Sequence, residues 1–183
     1  MMNLHKILSL FLISLLISCN NNNNKAEIER VDSLKNELAS IENIILKIDS
    51  NKISQVYSEY LDNIKTIKAN FSEKDDEYIW NAITQYGYIR KPLRNYFRRI
   101  PDIKIELEYS LKKLDTLKRD IKKNNISKDD FNKYFDDERI NTATLKNFTE
   151  LTINQALVEM HKFDSLNPVI VDVIEKLKAT KQK

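Results

Sequence analysis

Five cations crowd one short stretch: Arg90, Lys91, Arg94, Arg98 and Arg99, with Lys104 beyond and Tyr86, Tyr88, Tyr96 and Phe97 interleaved. Guanidinium groups hold oxyanions through paired N–H donors. On a helix, Arg90, Arg94 and Arg98 stand at i, i+4 and i+8 and share one face. Such a stripe suits the sulfates of a glycosaminoglycan or anionic lipid head groups. The plainer reading is a solvated face whose charges are matched by nearby acids such as Glu106 and Glu108. Pro92 falls inside the stripe, where a proline kinks or ends a helix.

Other chemistry-bearing residue types are sparse. The acidic runs 73–77 and 136–138 lack the Gly turn and ligand spacing of an EF-hand. Both sit where helix starts and turns are expected, so capping is their simpler role. His161, beside Met160 and Phe163, reads as a surface or boundary residue rather than a base. The single glycine, Gly87, excludes Gly-rich phosphate loops. Acids are abundant, but nothing selects a pair for glycoside hydrolysis. The expectation is therefore a protein that is not an enzyme, with no catalytic residue, cofactor or metal. A net charge of +3 is nearly balanced and does not indicate a nucleic-acid binder.

Cys19 is the only cysteine, so no internal disulfide can form. It follows Lys6, an apolar run over 7–17, and the small residue Ser18. That run is too short to span a bilayer, which needs roughly 20 apolar residues, and has the shape of a secretory signal. Its last four residues, Leu16-Ile17-Ser18-Cys19, resemble a bacterial lipobox. The resemblance implies a diacylglycerol thioether on Cys19, cleavage before it, and acylation of the new N-terminus. Two or three acyl chains together make a stable anchor. The expected organisation is a signal peptide over 1–18, a lipidated Cys and Asn-rich tether over 19–24, and a single α-helical domain over 25–183. The tether reading rests on Asn20 to Asn24, which cannot bury apolar surface and form a poor helix.

The elements that must position the stripe are helical. Val31, Leu34, Leu38, Ile41, Ile45 and Ile48 step by 3 and 4, the seam of a 3.5-residue period. The seam slips by five to Ile53 and then runs through Val56, Tyr60, Ile64, Ile67 and Phe71. One continuous helix over 25–71, with the slip as a stutter, is favoured. A turn capped by Ser50 or Asn51 is the other reading. Ser72 reads as the next N-cap. Ile79, Ile83, Tyr86, Leu93, Phe97 and Ile100 carry a third seam, with a break expected between Gly87 and Lys91. Pro101 suits the first turn of a new helix, whose seam runs Ile103, Leu107, Ser110, Leu114, Leu117 and Ile121. Asn124-Asn125 should end it, and Ser127 to Asp130 should cap a short helix through Phe131 and Phe135. Junctions follow at 136–142 and again at Asn167-Pro168, with Leu145, Phe148, Leu151, Ala156, Met160 and Phe163 as the seam between them. No segment alternates at period two for long. The expected fold is all-α: an elongated antiparallel bundle of four to five helices behind a flexible lipidated tether.

The signal region, with Leu16-Ile17-Ser18-Cys19-Asn20-Asn21, resembles those of spirochaete lipoproteins of the Borrelia type. The Lys-, Asn- and Ile-rich helices resemble that group's small surface lipoproteins, the plasmid-encoded Borrelia orf-D family among them. The resemblance implies an outer-surface location and an interaction role toward host proteins or matrix glycans. It carries over no catalytic residue. The alternative is a periplasm-facing structural or scaffolding lipoprotein that binds another envelope protein or itself.

Overall fold

The computed structural model describes residues 20–71 and 77–181. Cys19 with the whole signal region, and the Ser72 cap, lie outside the described residues. Among the described residues five helices follow one another: α1 (Asn20–Leu46), α2 (Ser50–Asn70), α3 (Glu77–Gly87), α4 (Arg90–Lys122) and α5 (Lys128–Lys181). The fold is an all-α helical bundle, with no strand among the described residues.

Several boundaries differ from those expected. The tether is one: α1 already begins at Asn20. Asparagine disfavours a helix by at most about 0.7 kcal/mol per residue relative to alanine. Tertiary bonds offset that at Asn24, whose Nδ2 donates to Ile121 O at 3.3 Å and to Asn124 Oδ1 at 2.7 Å. The seam slip is a break and not a stutter. Ser50 N–H donates to Ile48 O at 2.9 Å in a tight turn. Asp49, one residue before the two candidates, is the N-cap of α2, its side chain accepting from Lys52 N–H at 3.0 Å.

Pro92 falls in the first turn of α4, where its missing N–H is no loss. Pro101 does not start a helix; it lies inside α4. Its exposed position explains the tolerance. The buried seam Leu93, Tyr96, Ile100, Ile103, Leu107 keeps its 3–4 phase straight past it on the opposite face. Asn124, at φ 53°, takes the left-handed conformation that stops α4, and Asn125 N–H reaches back to Asp120 O at 2.9 Å. Ser127 then caps α5: Asp130 N–H donates to its Oγ at 3.1 Å, and that hydroxyl donates to Asp130 Oδ2 at 2.6 Å.

α5 is one helix of 54 residues through both expected junctions, Pro168 included. Its buried positions run Phe131, Phe135, Glu138, Thr142, Leu145, Thr149, Thr152, Ala156, still stepping by 4 and 3. Polar residues hold core places in that series, which is why its apolar letters alone look interrupted. Phe148 and Leu151, expected in the seam, are exposed.

The chain splits into two compact units. The first takes the described residues up to Glu42 together with Ile105–Lys146. Here α1 runs antiparallel to α4, as Lys118 Nζ holds both oxygens of Asp32 at 2.5 and 2.6 Å and Lys35 meets Asp115 at 2.5 Å. Arg30 lies over Phe135 at 4.3 Å and Phe131 at 5.1 Å, tying α1 to α5. The second unit takes Asn43–Lys104 and the chain from Asn147 onward. Its core is aromatic: Tyr60 packs on Tyr86 with ring centroids 5.0 Å apart, and Tyr86 on Phe163 at 5.9 Å.

Candidate anion-binding stripe

The early part of α4 carries the basic residues singled out from the sequence, all within the second unit. Its inner face is fixed by Leu93 and Tyr96, both almost fully buried. That anchoring turns Arg90, Lys91, Arg94 and Arg98 outward, and all four are exposed. None of the four forms an ion pair with a described acid. Of the acids expected to match them, Glu106 forms no ion pair with the stripe and Glu108 is engaged elsewhere. Glu108 bonds Lys112 at 2.6 Å, which holds its carboxyl below the usual range. Arg99 is different: it is half-buried and lies over the Phe148 ring at 4.8 Å. The stripe is thus four cations, with Arg99 spent on packing.

Beside the stripe, Lys91 and Pro92 meet Asn154, Gln155 and Val158 of α5 around a groove of about 410 Å³. Asn95 and Glu159, each 8 % exposed, also line it. Glu159 Oε1 accepts from Lys162 at 2.6 Å, while Oε2 is buried without a hydrogen-bond partner. Amides next to an acceptor carboxylate can bond a hydroxyl-rich ligand, and the guanidinium row can bond its anionic groups. Sequence reading found the cations but not this groove. The missed signal was polar: Asn95 sits between core residues Leu93 and Tyr96, and Glu159 beside Met160.

A second interior feature is structural. Tyr86 OH and Asn63 Nδ2 both donate to Asn167 Oδ1, at 3.1 and 2.8 Å, and Asn167 Nδ2 donates to Glu59 Oε1 at 2.6 Å. Burial pushes the Tyr86 phenol well above its ordinary range. The acidic run 136–138 caps nothing, since it lies within α5: Asp136 pairs with Arg139 at 3.3 Å and Glu138 is buried. His161 is exposed. Among the described residues no three His, Cys, Asp or Glu gather as metal ligands, and no helix is long and apolar enough to cross a membrane. Comparison of the chain with protein-family models, with characterised proteins and with solved structures finds no match.

Proposed function

We propose that this chain is an exported lipoprotein, anchored through acyl chains on Cys19 and facing outward, that binds a sulfated glycan of a host surface. The observation that carries the binding reading is the exposed row Arg90, Lys91, Arg94, Arg98, none of which forms an ion pair with a described acid. The anchor reading rests on the order apolar, apolar, small, Cys at Leu16-Ile17-Ser18-Cys19 after an apolar run. Sulfates would meet the guanidinium row, and sugar hydroxyls the amides of Asn95, Asn154 and Gln155. The binding is non-catalytic.

Two experiments test this. Protease shaving of intact cells, with a Cys19→Ala control, should cleave the wild-type protein before the outer membrane is opened. Cleavage only after opening would move the protein to the periplasmic face and end the host-binding reading. Heparin retention of the purified protein should vanish in an Arg90→Glu, Arg94→Glu, Arg98→Glu variant whose circular dichroism is unchanged. Retention equal to wild type would sink the glycan reading.

A further inference from the structure

A groove of about 730 Å³ lies in the first unit, between the later part of α4 and the start of α5. It is independent of the basic stripe and its glycan. Tyr109 and Lys113 line it from α4, and Tyr134, Glu138 and Ile140 from α5. Tyr109, Tyr134 and Ile140 are exposed by 54, 52 and 56 %, an unusual concession of apolar surface so close together. Its volume is that of a small-molecule site, which typically combines an apolar lining with a few placed polar groups.

The polar group here is a carboxylate. Glu138 is 6 % exposed, and its Oε1 accepts from Lys113 Nζ at 2.7 Å. Its Oε2 is buried with no hydrogen-bond partner. A buried carboxylate oxygen left unbonded is costly. The same corner already holds an ammonium: Lys113 Nζ touches Glu138 and lies 4.4 Å from the Tyr109 ring centroid. Carboxylate plus aromatic face is the environment in which organic cations are bound. Oε2 is a second acceptor on that carboxylate, and Tyr134 supplies a second aromatic side chain across the groove.

We propose that this groove binds an organic ammonium with an apolar body. The ammonium would bond the Glu138 carboxylate in place of Lys113, and the body would lie along Tyr109, Tyr134 and Ile140. Lys113 is then a resident rival for the carboxylate, and 36 % side-chain exposure leaves it room to turn outward.

The test is calorimetric titration of the full chain with n-octylammonium chloride at neutral pH, against n-octanol and n-octyl sulfate. Octylammonium should bind roughly tenfold or more tightly than either. Glu138→Gln and Tyr134→Ala should each weaken it by a similar factor, with helicity unchanged by circular dichroism. Lys113→Met should strengthen it, an effect that a merely structural lysine would not produce. Equal binding of octanol would show an apolar crevice only, and absence of octylammonium binding would show that the groove takes no organic ammonium. Either result overturns the proposal. If Lys113→Met fails to fold, the Glu138→Gln and Tyr134→Ala titrations decide alone, since Tyr134 is exposed and its loss leaves the core intact.

Discussion

Tyr86 donates its hydroxyl proton to Asn167 Oδ1 at 3.1 Å, joining two residues 81 positions apart in the chain. Asn63 bonds both, its Nδ2 lying 3.1 Å from the phenol oxygen and 2.8 Å from Asn167 Oδ1. The two partners are not equivalent. Tyr86→Phe leaves Asn63 and Asn167 bonded to each other, so the loss should be one net hydrogen bond, about 1 kcal/mol. Asn167→Ala strips an acceptor from both Tyr86 and Asn63, and should cost about 2–3 kcal/mol. Urea unfolding of the two variants should give that order. Equal values would mean that the network is not buried enough to matter.

Pro101 sits in the interior of α4 with no N–H to donate to Phe97 O. Pro101→Ala should restore that bond and raise the urea midpoint. The gain is bounded by about 3 kcal/mol, the usual helix penalty of proline. A loss of stability would mean that α4 needs a bend there.

Asp49 caps α2 through its bond from Lys52 N–H. Asp49→Ala should cost about 1 kcal/mol, while Asp49→Ser should restore most of it. Thermal melts of the pair would show whether the cap or the residue's charge is responsible.

Arg94 and Arg99 should differ although both belong to the basic run. Arg94→Ala should lower the salt concentration that elutes the protein from heparin, and reduce the salt dependence by about one counterion. Arg99→Ala should leave elution nearly unchanged and destabilise the fold, because its guanidinium is placed on Phe148.

Lys113 has a pH signature. Its hydrogen bond to Glu138 raises its pKa above the ordinary lysine value. A cation whose folded pKa is raised contributes stability that is complete below the unfolded value and is lost as pH rises through the folded one. Wild-type stability should therefore fall beyond about pH 10, and Lys113→Met should flatten part of that limb. An unchanged alkaline limb would assign it to tyrosines such as Tyr86.

The all-α class and most seams were legible because Leu, Ile and Val at 3–4 spacing leave few alternatives. Val31 through Ile45 are buried as that spacing predicts, as are Ile103 through Ile121. What escaped was set by residues that contradict their own type. Thr142, Thr149, Thr152 and Glu138 occupy core places, so α5 reads as three pieces. Pro101 stands on the exposed side of a seam that never loses phase. Of the basic stripe, the exposure of Arg90, Arg94 and Arg98 follows from spacing. The pairing of Arg99 with Phe148 could not, since the partner is 49 positions away on another helix. The Glu138 groove was hidden for the same reason: its walls come from Tyr109 and Tyr134, which sequence alone cannot bring together.

The interleaving of the two units sets an order of events for a chain emerging from its N-terminus. α1 needs Ile105–Lys146 to cover its seam, and all of Asn43–Lys104 must come out first. At synthesis rates of about 5–20 residues per second, Val31, Leu34 and Leu38 stay uncovered for several seconds. The second unit waits in turn for everything beyond Asn147. Neither can complete itself before the other's segments have passed. A chain stopped in the part of α5 before Lys146 would therefore present two unfinished hydrophobic surfaces at once, a natural target for whatever holds or destroys incomplete proteins.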